Sequence, residues 1–173
     1  MSNPYIDWFP ILEYIDDINK KTILEIGCGS GTSALVNSFN FVYSYETNTR
    51  DKDGKWFNMT KEQNELSKKW TGFFDQNHGS NPVNIPVLYD SIQKVVPLDK
   101  IDVLFVDAGF VNRAECIVYF CDRVKINNII AHDTFARDAH QYNWPLTKKI
   151  LSDYYVKHEI TTRQGTTLWE LNE

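Results

Sequence analysis

The 173-residue sequence has few cysteines, no surplus of basic residues and no long apolar run, and each shortage excludes a class of protein. Cys28, Cys116 and Cys121 are odd in number and sparse, which fits a reducing compartment and no disulfide framework. Cys116 and Cys121 would fall on different faces of a helix, so they read as small buried apolar residues rather than as a shared metal site. Lys and Arg total 18 against 23 Asp and Glu, a net charge of −5. A sequence-independent nucleic-acid binder usually carries a basic excess to neutralise phosphates, so nucleic acid is not the expected partner. No apolar run approaches the roughly 20 residues that span a bilayer. Met1 to Asp17 carries acids and no basic n-region, so no signal peptide is read there and the expected location is cytoplasmic. The chain shows no internal repeat and no low-complexity tract. Aromatic residues make up 14% of it, which argues against disorder. The length suits one domain, 1–173.

The apolar pattern alternates between short buried strands and helical spacing. Ile11, Leu12, Ile15 and Ile18 predict an N-terminal amphipathic helix within residues 1–19, started near Pro4. Strands are expected at Thr22–Ile26, Phe41–Tyr45, Val83–Leu88, Ile101–Val106 and Asn128–Ala131. A further pair, Tyr154–Ile160 and Thr166–Leu171, reads as a hairpin around Gln164-Gly165. Helices are expected at Thr32–Ser38, Thr60–Phe74, Arg113–Val124 and from Asn143 to about Asp153. Such alternation predicts an α/β protein with a mostly parallel sheet. Ligands of such sheets bind outside the carboxyl ends of the strands, near the point where strand order reverses. The informative residues are therefore Glu25 to Gly31, Glu46, Asp90, Asp107 and His132-Asp133.

Glu25-Ile-Gly-Cys-Gly-Ser-Gly31 follows a strand and opens a helix. Gly27 and Gly29 allow a tight turn and close backbone approach, and the helix start favours an anion. The dinucleotide pattern G-x-G-x-x-G needs glycine at position 32, where this sequence has Thr32. The phosphate-loop pattern fails too, because no Gly-Lys-Ser or Gly-Lys-Thr follows.

This segment resembles the first motif of class I S-adenosylmethionine-dependent methyltransferases, an acid followed by G-x-G-x-G at the end of the first strand. The resemblance covers roughly residues 20–171, nearest to the small-molecule O-methyltransferases. It implies a Rossmann-like, seven-stranded, mostly parallel sheet whose C-terminal hairpin contributes one antiparallel strand. It also implies S-adenosylmethionine as cofactor, held by Glu25, Gly27, Cys28, Gly29 and Ser30 of the loop. Glu46 would take the ribose diol, Asp90-Ser91 the adenine, and Asp107 the methionine part and the acceptor. The chemistry is consistent: a carboxylate accepts from two hydroxyls, glycine amides suit the cofactor's carboxylate, and acidic strand ends suit its positive groups.

Methyl transfer is an in-line displacement that depends on positioning, and a hydroxyl acceptor often needs a general base as well. Asp107, His132 and Asp133 are the catalytic candidates. Ile-Ile-Ala-His132-Asp133-Thr134 looks like the fifth-strand ending of small-molecule O-methyltransferases. That group often has Asp-Gly-x-His after the fourth strand, whereas this sequence has Asp107-Ala-Gly-Phe110. Asp107, His132, Asp133, Asp138 and His140 could converge as ligands of a divalent ion. No spacing among them is diagnostic, and no residue is assigned to a metal. Acceptor-shaping aromatics would come from Tyr5, Trp8 and Phe9, from Trp56 and Phe57, and from 135–144. They could equally be core. The reading is an enzyme that methylates a small molecule, most simply at oxygen. A cofactor-binding partner subunit, a nucleotide-dependent oxidoreductase and an RNA methyltransferase are the alternatives.

Overall fold

The computed structural model describes residues 7–49, 51–78, 82–134, 152–162 and 165–173. Its centre is a seven-stranded sheet made of β1 (Thr22–Ile26), β2 (Phe41–Thr47), β3 (Trp70–Asp75), β4 (Val103–Val106), β5 (Asn128–His132), β6 (Tyr154–Ile160) and β7 (Thr166–Leu171). The order across the sheet is β3-β2-β1-β4-β5-β7-β6. β1 to β5 pair in parallel, and β7 runs antiparallel to both β5 and β6. The chain winds outward from β1 to β3 and then restarts with β4 on the other side of β1. The strand order reverses between β1 and β4, which sets the crevice at their carboxyl ends.

Alternate residues of the central strands face opposite layers, as a period of two requires. Leu24, Ile26, Leu104, Val106 and Ile129 belong to one core with α3 (Ile85–Gln93) and α4 (Arg113–Cys121). Ile23, Val103, Phe105 and Ile130 belong to the other, with α1 (Thr32–Ser38) and the N-terminal segment. Each such buried aliphatic side chain contributes roughly 1.5–3 kcal/mol.

The N-terminal segment is not the α-helix that its spacing suggests. It forms two 3₁₀ turns, Phe9–Tyr14 and Ile18–Lys20, broken where Asp17 takes a left-handed φ of 50°. Pro10 lies within the first turn, where its missing N–H costs no hydrogen bond. The apolar residues are used all the same: Trp8 is buried edge-on against Phe105, 4.9 Å between ring centroids.

The third strand also departs from the sequence reading. The segment expected to be helical to Phe74 is α2 (Lys55–Asn64) followed by β3, and the expected strand Val83–Leu88 is instead the start of α3. Gly54 at φ 67° caps α2 six residues earlier than Thr60 would. Gly72 explains the strand. Its missing side chain makes room for the Trp70 ring, so Trp70 can fold along the same face and donate from Nε1 to Ser44 Oγ at 2.9 Å. Leu66, an apolar residue inside the expected helix, is 95% exposed. Asn84 accepts from the Val87 N–H at 3.2 Å and caps α3, Pro86 fits its first turn, and Leu88 and Ile92 bury one face. Asp90 and Ser91 are therefore helical residues of α3, not the end of a strand. The expected helix from Asn143, and with it Asp138 and His140, lies mostly outside the described residues.

Candidate functional site

The glycine loop crosses the crevice between β1 and β4. Gly27 has φ +90°, and a Cβ there would overlap the Asp107 carbonyl, so only glycine lets the two strand ends lie this close. Its N–H donates to the Tyr45 carbonyl at 2.8 Å, and the Asp107 N–H donates to the Ile26 carbonyl at 3.0 Å. Gly29 differs: a Cβ there would meet nothing within 4 Å. Ser30 is exposed beside it.

Glu25 lies beneath this loop rather than in the cleft. Thr32 donates to its two oxygens at 3.0 and 2.9 Å, and Ser44 donates at 2.6 Å. Thr32 Oγ1 in turn accepts from the Gly29 N–H at 3.1 Å. The buried carboxyl thus ties β1, β2 and the start of α1 together and sets the loop's path. Burial pushes it up to about 8, against the pull of the Ser44 and Thr32 hydrogen bonds.

Glu46, at the carboxyl end of β2, is buried yet lines the cleft. It accepts from the Cys28 N–H at 3.2 Å on Oε2 and from the Thr47 N–H at 3.0 Å on Oε1. The Cys28 thiol also lies 3.9 Å from Oε2. A carboxylate has about four acceptor sites, so Oε1 retains capacity for a hydroxyl donor and Oε2 faces only a weak thiol donor besides the Cys28 N–H. Burial raises Glu46 to about 7, with the two N–H bonds working the other way. The Cys28 thiol is pushed far up by burial and stays protonated. The cleft holds about 380 Å³ and is lined by Gly27, Cys28, Glu46, Asp51, Trp56 and the 107–110 stretch. Asp51 is buried and accepts from the Trp56 and Phe57 N–H groups at 3.2 and 3.0 Å, fixing the start of α2. Trp56 is 58% exposed at the mouth of the cleft, whereas Phe57 and Trp8 are core.

Across the crevice, the ends of β4 and β5 carry a charged cluster. His132 Nδ1 lies 3.1 Å from Asp107 Oδ1, and its Nε2 lies 3.0 Å from Asp7 Oδ1. Asp133, at a left-handed φ of 61°, places Oδ1 3.5 Å from His132 Nδ1. Arg113, the first residue of α4, is buried among them. It donates from Nη1 to the His132 carbonyl at 2.7 Å and to Asp133 Oδ2 at 3.1 Å, and its Nη2 lies 3.5 Å from Asp107 Oδ1. Burial opposes ionisation of Asp107, but the His132 hydrogen bond and the charges of His132 and Arg113 outweigh it and hold the carboxyl below its ordinary value. Burial likewise opposes charging His132, and its carboxylate neighbours Asp107, Asp133 and Asp7 outweigh it, raising the ring above the ordinary 6.5.

Asp107, His132 and Asp133 offer ligand-type atoms within 4.8 Å of one another. The Arg113 guanidinium already faces both carboxylates, so this donor set is a poor fit for a divalent ion. The structure therefore places the glycine loop, Glu46 and Asp107 on one cleft, with His132 bonded to Asp107 and Asp133 beside it at the end of the next strand. Asp90 is elsewhere, exposed on α3 and bonded to Gln93 at 3.1 Å. Ser91 is half-buried with Tyr45 and Asp75 around a second hollow, at the true end of β3. There Tyr45 donates to Asp75 at 2.7 Å and His78 Nε2 lies 2.8 Å from the same oxygen. Asp7, Asp51, Asp75 and Arg113 escaped the sequence reading. For Asp75 the sequence signal was Gly72 within an aromatic run; the other three had none.

No family model and no curated protein matches the sequence. Solved structures do match. An SAH-bound methyltransferase from Podospora anserina is 17% identical with a TM-score of 0.62, over 100% of this chain and 80% of that one. A methyltransferase from Geobacter sulfurreducens is 14% identical with a TM-score of 0.64, over 99% of this chain and 80% of that one. An rRNA methylase from Streptococcus thermophilus is 13% identical with a TM-score of 0.59, over 100% and 99%. The fold is the Rossmann-like fold of class I S-adenosylmethionine-dependent methyltransferases.

Proposed function

We propose that this chain is an S-adenosylmethionine-dependent methyltransferase that acts on a small molecule, at oxygen. The observation that supports it best is Glu46 at the end of β2, buried, spare in acceptor capacity and facing the same cleft as Gly27 and Cys28 of the glycine loop, beside a Gly29 with open space at its Cβ position. That pair suits a ribose diol beside a close-approaching backbone. When bound, the cofactor supplies an electrophilic methyl group on a sulfonium. Asp107, held ionised at the cleft wall, favours positive charge there. Trp56 offers an aromatic wall at the mouth. His132 and Asp133 act with Asp107 as one hydrogen-bonded unit, and a hydroxyl proton passes to His132 Nε2 once the ring is neutral and Asp7 releases that nitrogen.

A net charge of −5 supports a small acceptor over a polyphosphate one. Three free cysteines support a reducing, cytoplasmic setting. Among the described residues no helix is long and apolar enough to cross a membrane. The test is calorimetric titration with S-adenosylmethionine, S-adenosylhomocysteine and NAD, repeated for Glu46→Ala. Binding of the first two, weakened by the substitution and absent for NAD, is the expected result. Absence of adenosyl binding at any pH would leave only the fold.

A further inference from the structure

Arg113 is an unusual place to find a cation. Asn112 caps α4 by accepting the Glu115 N–H at 3.1 Å, so Arg113 occupies the first helical position. That is the positive end of the helix dipole, where a cation is disfavoured. The side chain is also almost fully buried, at 7% exposure. Burying a guanidinium at the unfavourable end of a helix is stable only if its partners compensate. They do: Nε donates to the Ala108 carbonyl at 3.2 Å, Nη1 to the His132 carbonyl and to Asp133, and Nη2 faces Asp107. One planar fork thus spans the ends of β4 and β5 and holds Asp133 in its left-handed conformation, a bridge between two carboxylates and two carbonyls that lysine's single ammonium cannot copy.

One oxygen of each carboxylate and both ring nitrogens of this cluster are accordingly committed. Asp107 Oδ1 faces Arg113 and His132, Asp133 Oδ2 faces Arg113, and the two His132 ring nitrogens face Asp107 and Asp7. A divalent ion would have to displace the guanidinium from Asp107 Oδ1 and Asp133 Oδ2, or take the other oxygens of the same carboxylates while sitting against its charge. We propose that Arg113 is a built-in cation that takes the place of a divalent metal between Asp107 and Asp133, so that this site works without one and positions the two carboxylates through the guanidinium. The inference deepens the methyltransferase reading, but its test needs neither methyl donor nor acceptor.

The test is titration of the full chain with Mn²⁺ alone, followed by the electron paramagnetic resonance of the free ion, with circular dichroism as a check of folding. The wild-type protein is expected to bind Mn²⁺ no more tightly than about 1 mM, the range of the loosest protein sites. Arg113→Met is expected to tighten binding at least about tenfold by releasing both carboxylates, and adding Asp133→Asn to remove the gain. Arg113→Gln keeps a donor for the His132 carbonyl and gives the same readout if Arg113→Met does not fold. Two results would overturn the proposal. One is tight Mn²⁺ binding by the wild type that Asp133→Asn abolishes. The other is a folded Arg113→Met or Arg113→Gln that binds Mn²⁺ no better than wild type.

Discussion

Gly27 and Gly29 are two residues apart in one loop, and replacing each with alanine should give opposite results. At Gly27 the backbone has φ +90° and an added Cβ would overlap the Asp107 carbonyl, which is main chain and part of a strand end. The left-handed conformation costs a non-glycine residue about 1–2 kcal/mol. Forcing a methyl into a closed contact adds about 1–3 kcal/mol. Gly27→Ala should therefore destabilise by about 2–5 kcal/mol, a fall in Tm of about 4–20 °C for a chain of this size. At Gly29 a Cβ meets nothing within 4 Å. Gly29→Ala should leave Tm unchanged or slightly raised, since alanine restricts the unfolded chain. Its cost should appear in binding, where a methyl stands between backbone and ligand. A penalty of about 1–3 kcal/mol corresponds to about 5–150-fold weaker S-adenosylhomocysteine binding. Thermal melts and calorimetry on the two variants measure both effects. A Gly27→Ala protein that melts within about 2 °C of wild type, or a Gly29→Ala protein that binds as tightly as wild type, would refute the account of the loop.

Glu46→Gln keeps the shape of the side chain but replaces a charged acceptor with a neutral one, and should weaken adenosyl binding about 10–100-fold by calorimetry. Because Glu46 titrates at about 7 in the folded protein, wild-type binding should strengthen as pH rises through that value, and the dependence should flatten in Glu46→Gln. Glu25, about 8, and Glu46 both lie above the ordinary carboxyl value of 4.5, so between those values the folded chain binds more protons than the unfolded one. Stability should therefore fall as pH rises from about 5 to about 8; His132, also raised, works in the same sense, and melts of Glu25→Gln should show a shallower slope. Asp7→Asn removes one of the carboxylates that raise His132, so the acid limb of the methyl-transfer rate should move to lower pH. An unmoved limb would exclude His132 Nε2 as the titrating atom.

Much of this molecule is legible in local pattern. β1, α1, β6 and β7 have the bounds that their apolar spacing predicts, because a buried strand or a short amphipathic helix writes its period directly into consecutive residues. The glycine loop was legible for the same reason, since a tight turn after a strand demands glycine at fixed offsets. The segments on either side of residue 75 misled. The aromatics of 70–74 fall at helical spacing, and Val83 to Leu88 reads as an apolar run. Only the packing of Trp70 over Gly72 and the Asn84 cap decide that the first is a strand and the second a helix.

The cleft's acids followed from strand ends, but what surrounds them did not. Asp7 and His132 meet across 125 residues of sequence, and Arg113 joins the ends of two strands from the first turn of a helix. A charged residue in sequence reads as a solvated one, because solvation is the default for a charge. Only the tertiary structure decides that this arginine is buried between two carboxylates, since the partners that compensate its desolvation arrive from distant elements and no local pattern records them.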